Sequence, residues 1–149
     1  MVLCKDWATL VTAEEIPTEM DTQEQLRRLI ECVRLIASDP KDQLESLPDQ
    51  VCKTDEIALE FSNSLQFLDK LVASDLISAE CAESLRYIDH VLDRMSREHP
   101  EVWSDDALAD SSLWASLRQA AAIPLSLLGA TPAKPRLDWL RFVSCDDDE

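Results

Sequence analysis

Two histidines, five cysteines and 30 carboxylates are the side chains through which this chain could do chemistry. A zincin or a di-iron site needs a histidine at helical spacing from a second histidine or a glutamate, so that both ligands share one face. His90 and His99 have no such partner. His90 stands beside Asp89 on the flank of an apolar seam and reads as solvated. His99 lies in a loop between Glu98 and Pro100-Glu101, where it reads as a plain loop residue with some capacity to sense pH. The cysteines are Cys4, Cys32, Cys52, Cys81 and Cys145. Their number is odd and no two form Cys-x-x-Cys, which suits neither a disulfide framework nor a zinc site and fits reduced thiols in the cytosol. A cysteine–histidine nucleophile assembled by folding stays open, although Cys32 and Cys81 sit on or beside apolar stripes, where cysteine is a small core residue. A phosphate-cradling loop is excluded by composition, since Gly129 is the one glycine. No cofactor and no metal is expected.

The carboxylates are the informative group. Between residues 54 and 110 there are 14 acids against four bases, Lys70, Arg86, Arg94 and Arg97. Glu56 and Glu60 are four apart, as are Asp89 and Asp93; such like-charge pairs cost an isolated helix a few tenths of a kcal/mol, so stability alone would not choose them. The best single patch for a partner is Glu98, Glu101, Asp105, Asp106 and Asp110 around Trp103. Trp103 is either an aromatic anchor ringed by charge or a residue packed under its own loop.

These groups need a scaffold, and the periodicities specify one. Thr22 with Gln25 reads as a capping box, opening a helix with the stripe Leu26, Leu29, Ile30, Val33, Ile36 and Ala37. Asp39-Pro40 ends it and starts a short helix carrying Leu44 and Leu47, stopped by Pro48. Thr54 caps a third helix, with Asp55 and Glu56 where the dipole favours acids and a stripe of Ile57, Phe61, Leu65, Leu68 and Leu71 or Val72. Ser78 caps a fourth, whose seam is Cys81, Leu85, Ile88, Leu92 and Met95. Ser104 caps a short helical segment through Asp105–Leu108. Asp110 or Ser111 opens the last long helix, through Leu113, Trp114, Leu117, Ala120, Ala121, Leu125 and Leu128, with Gly129 as its C-terminal cap. Pro124 inside it predicts a bend, or a split near residue 120. The core should include Leu29, Val33, Ile57, Phe61, Leu65, Leu68, Leu85, Ile88, Leu92, Trp114 and Leu117. Residues 1–20 are open between strand and helix. Residues 130–149 form an extension with Leu137, Trp139, Leu140 and Phe142, and an acidic end expected to fray.

An apolar fraction of 46% in 149 residues supplies a core for one domain. A single glycine argues for helices with short polar loops rather than strands. The expected fold is an all-α, compact bundle of five or six helices, a single domain over 1–149. The formal charge of −16 disfavours nucleic acid and anionic membranes and favours a basic protein partner. Charge interrupts Met1–Trp7 too early for a secretory h-region, and no apolar run reaches the ~20 residues of a span. A cytoplasmic protein is expected.

Asp55-Glu56-Ile57-Ala58-Leu59-Glu60-Phe61 is followed by Leu76-Ile77-Ser78, Ile88-Asp89, Leu92 and Met95-Ser96. Val102-Trp103-Ser104-Asp105-Asp106-Ala107-Leu108 and Trp114-x-x-Leu117-Arg118-x-x-Ala121 come next. This order resembles small bacterial immunity-type proteins encoded beside secreted polymorphic toxins, over residues 54–129. The resemblance implies a stoichiometric inhibitor that binds a cognate toxin, with the acids facing a basic toxin surface. It carries over no catalytic residue. The alternatives are an acidic secretion chaperone or adaptor, which would dimerise and expose an apolar groove, and an enzyme, which would show a pocket of converging polar groups.

Overall fold

The computed structural model describes residues 21–140; the expectations for residues 1–20, for Cys4, Phe142 and Cys145, and for the acidic end lie outside them. Every regular element described is helical. The helices are α1 (Thr22–Ala37), α2 (Pro40–Glu45), α3 (Lys53–Ser64), α4 (Leu68–Ala73), α5 (Ala79–Glu98), α6 (Asp105–Asp110) and α7 (Ser112–Leu127). Two 3₁₀ turns, Leu65–Phe67 and Pro100–Val102, join α3 to α4 and α5 to α6. If Lys53–Ala73 is counted as one bent rod, this is a six-helix all-α bundle. At its centre α7 packs along α1 and α5, and α3 closes the other side of α1.

The helix starts follow side-chain chemistry. Asp39, Ser78, Ser104 and Ser111 each accept a backbone N–H of the first turn that follows, meeting amides that have no partner inside the helix. Two expected caps move by a residue or two. α1 is capped by Asp21, whose carboxylate accepts the Gln23 amide, so Thr22 is the first helical residue; a carboxylate one position upstream does the hydroxyl's work with added charge. α3 begins at Lys53 behind Cys52, with no side-chain cap, and Thr54 is buried in its first turn. Asp55 and Glu56 do lie in that turn.

Of the expected core, all but Leu65 are buried. Leu65 opens the 3₁₀ turn, where three residues per turn replace 3.6 and rotate it to a half-buried position. The buried indole of Trp114 donates to the Val102 carbonyl (2.9 Å). α7 runs unbroken through Pro124. The expected split does not occur: the proline sits in the last turn, so it removes one late bond, and its ring is buried in the core. Gly129, at φ +76°, then ends the helix in a Schellman motif, with Gly129 N–H bonded to the Ser126 carbonyl and Ala130 N–H to that of Leu125.

Buried polar side chains knit the elements. Gln43 of α2 donates to the Leu35 and Ile36 carbonyls at the end of α1 (3.2 and 3.0 Å). Arg118 of α7 donates to the Gln43 side chain (3.1 Å) and to the Leu108 carbonyl (2.8 Å). The buried Lys53 ammonium donates to the Leu44 carbonyl and to Asp49 (2.8 and 3.0 Å), fixing the loop between α2 and α3. After Gly129 the chain turns back along α1. Arg34 donates to the Thr131 carbonyl (3.0 Å), the Arg136 amide donates to buried Glu31 (2.8 Å), and Arg27 pairs with Asp138 (3.0 Å).

Candidate functional site

The six residues singled out as a partner surface fall at one end of the bundle, where α5, the 3₁₀ turn, α6 and the start of α7 meet. Ser104 caps α6, which turns Asp105 and Asp106 outward in its first turn, while Ala107 and Leu108 point into the core. Glu98, Glu101, Asp105, Asp106 and Asp110 are all exposed. The fold gathers three of them: Glu101, Asp106 and Asp110 line a wide, shallow depression of about 640 Å³ with His99 and Leu113. Asp105 and Glu98 lie outside it, and Glu98 pairs with Arg94 one turn back (3.3 Å).

Trp103 has a different role from the acids around it. It is half-buried. Its indole N–H donates to the Met95 carbonyl at the end of α5 (3.1 Å), and its ring meets Trp114 edge-on, with centroids 5.5 Å apart and planes at 83°. That geometry is favourable between aromatic quadrupoles and commits the indole to holding the loop. The exposed surface of the patch is therefore carboxylate rather than aromatic. His99 faces Glu101 at 3.2 Å, and Glu101 is held below the ordinary carboxylate range, first by its own backbone amide and then by His99.

Elsewhere the like-charge pairs separate into two kinds. Asp93 is relieved by Arg97 (2.7 Å), and Asp89 is pushed up by burial and by Asp93. Glu56 and Glu60 make no such ion pair among the described residues. Burial raises Glu56, with Asp55 adding to it. Glu60 is pushed up to about 7 by burial and by Glu56, against the pull of Arg28 and of the Trp139 indole. Trp139 lies under two guanidiniums, with Arg27 and Arg28 each over its ring at 5.4 and 5.5 Å. Glu24 pairs with both arginines and is lowered to about 2 by them. Sequence reasoning noticed Glu56 and Glu60 as a repulsive pair but not Trp139 beside them; no local pattern links residues so far apart in the chain.

The two buried thiols are chemically quiet. Burial raises Cys32 far above the normal thiol range and pushes Cys81 up to about 11, with Glu80 contributing. Cys81 donates to the Pro124 carbonyl (3.8 Å) and Cys32 to that of Glu60 (3.5 Å). Cys32, Cys52 and Cys81 are unbridged. Among the described residues no cluster of three or more His, Cys, Asp or Glu could hold a metal ion, and no helix is long and apolar enough to cross a membrane. No known family, characterised protein or solved structure matches the chain.

Proposed function

We propose that this chain is a cytoplasmic immunity-type protein that binds a cognate bacterial toxin and neutralises it through its acidic end. The observation that carries the reading is the convergence of Glu101, Asp106 and Asp110 on one open depression, with Glu98 and Asp105 exposed beside it. A shallow acidic recess on a rigid helical frame suits a basic protein surface, whose lysines and arginines it can receive without reorganisation. Opposite fields speed the encounter and reject acidic competitors. The cap at Ser104 and the Trp103–Trp114 contact supply the rigidity, which lowers the ordering cost of binding.

The test is the association rate with the partner recovered by pull-down, measured against ionic strength. Raising NaCl from 20 to 500 mM should slow association by roughly tenfold or more and change dissociation little, because steering acts on the encounter. Asp105→Lys with Asp106→Lys should lower the rate at low salt and leave the helical spectrum unchanged. A salt-independent rate that the double reversal does not alter would overturn the acidic-end reading.

A further inference from the structure

Beyond Gly129 the chain leaves the helical frame and is held as a strap. Gly129 has no atom within 4 Å of the place a β-carbon would take, so the backbone can swing there without a clash. Among the described residues no backbone–backbone hydrogen bond joins 131–140 to the bundle. Pro135 is buried, Leu137, Trp139 and Leu140 are half-buried, and the other six residues of 131–140 are exposed. Where Pro132 and Ala133 pass the end of α1 and the start of α2, they span a hollow of about 250 Å³ rather than a packed contact. A segment with so few backbone bonds and so little burial opens at a lower free energy than the core.

Side chains of α1 hold the strap. Arg27, Glu31 and Arg34 stand four and three residues apart on one helical face. They engage Asp138, the Arg136 amide and the Thr131 carbonyl respectively, so the strap runs antiparallel to α1. Its ion pairs, Arg27 with Asp138 and Lys134 with Glu45 at 3.5 Å, are exposed, and such pairs contribute little each. The largest anchor is at the far end. Trp139 lies under Arg27 and Arg28, and its indole N–H donates to Glu60 of α3.

Trp139 thus closes over a carboxyl. Around Glu60 stand Glu56 on its own helix, Arg28 and the Cys32 thiol on α1, and the indole of the strap. Asp55 lies beyond Glu56. Glu24, Arg27 and Asp138 lie around Arg28, and Glu24 accepts from the Arg28 guanidinium at 2.9 Å. The cation that draws the charge of Glu60 is therefore already engaged by another carboxylate and stacked on Trp139.

We propose that residues 130–140 are a proton-locked strap: with a proton on Glu60, Trp139 seats and the strap stays closed on α1, and ionisation of Glu60 lifts Trp139 and opens the strap about Gly129. The direction follows from what each form of the carboxyl gains by opening. A neutral carboxyl loses the indole bond and gains little from water. A carboxylate regains hydration, which replaces the indole as donor, and Arg28, released from the Trp139 ring, is free to turn toward it. Burial is the largest influence on Glu60 and the indole bond the smallest, and the two act in opposite directions. Removing the cover therefore favours the carboxylate more than losing the bond disfavours it. A carboxyl that titrates higher under the closed strap, at about 7, than under the open one makes closure strongest at low pH and weakens it as pH rises through that value. None of the residues of this latch lines the acidic depression, so it stands or falls independently of the partner-binding reading.

Hydrogen exchange of the Arg136 amide, followed by NMR on the full chain, decides it. Protection is taken as the ratio of intrinsic to observed exchange rate, so the ordinary base catalysis of exchange cancels. The wild type is expected to lose roughly tenfold in protection between about pH 5.5 and 8.5. Glu60→Gln, which leaves His90 and His99 in place, should keep the same protection across that range. The coupling is reciprocal, so in Trp139→Ala the Glu60 side chain, followed by carbon-13 NMR, should titrate at lower pH than in the wild type, by roughly one unit. Neither substitution replaces a fully buried residue, and an unchanged helical spectrum checks that both variants fold. Wild-type protection that does not change with pH overturns the proposal, as does an equal fall in Glu60→Gln. A Glu60 that titrates at the same or a higher pH in Trp139→Ala refutes the direction of the lock.

Discussion

At the scale of single residues, Glu60 is the side chain most at odds with its surroundings. Its ordinary pKa of 4.5 is raised to about 7, by burial first and by Glu56 second. Between those two values the folded protein keeps a proton that the unfolded chain has released. The contribution of Glu60 to stability is therefore fully present below pH 4.5, declines as pH rises through this window, and is constant above about 7. Glutamine imitates the protonated carboxyl. Glu60→Gln should then match the wild type near pH 4.5 and exceed its stability at pH 8 by about 1–3 kcal/mol, read from urea unfolding at both pH values. An equal gap at the two would show that Glu60 is not titrating. Asp105 and Asp106 contrast with it: they are exposed in the first turn of α6, where the helix dipole favours negative charge.

At the scale of elements, what could be read in the sequence followed the range of the forces involved. Caps and stripes are local, and Asp39, Ser78, Ser104 and Ser111 were legible because hydroxyl or carboxylate, first-turn amide and apolar period lie within a few residues of each other. The start at Thr22 shifts because Asp21 beside it offers a competing cap, and the start at Thr54 shifts because packing buries Thr54 in the first turn of a helix that has no side-chain cap. At Pro124 the split, one of the two expected outcomes, does not occur: the proline falls in the last turn, where its local cost is one late bond, and its ring is buried in the core. The acidic end was found as a composition bias, whereas the packing of Trp103 on Trp114 needed the fold. One element shows a strain that no local pattern announced. α4 ends in a second Schellman motif, with Leu76 N–H bonded to the Leu71 carbonyl and Asp75 N–H to that of Val72. The left-handed position, which Gly129 fills after α7, is held here by Asp75 at φ +62°. A β-carbon there costs energy that glycine avoids. Asp75→Gly should raise stability by about 0.5–1 kcal/mol and the melting temperature by a few degrees. Asp75→Ala, which removes the charge and keeps the β-carbon, is the control, and a gain as large from alanine would assign the effect to lost charge rather than to backbone.

At the scale of the whole molecule, one core set against a large negative charge defines the margin of stability. Phe61 and Trp114 are fully buried, and Trp114 also carries the bond to Val102 that seats the acidic end. Alanine at either position should cost about 3–5 kcal/mol out of a typical total of about 5–15, seen as an earlier urea midpoint. The Trp114 variant should additionally loosen the loop that Val102 and Trp103 form, because it removes the indole bond to the Val102 carbonyl and the edge-on contact with Trp103. The long-range architecture has a further consequence, in the order of synthesis. α1 finds its main packing partner in α7, and the segment after Gly129 then ties back to Arg27, Glu31 and Arg34. A ribosome adds about 5–20 residues per second, so α1 emerges on the order of 5–20 s before the helix that covers it. Throughout that interval α1 lacks the packing that α7 supplies, and the nascent chain is at its most vulnerable to aggregation and to capture by holdases while its own last third is still being made.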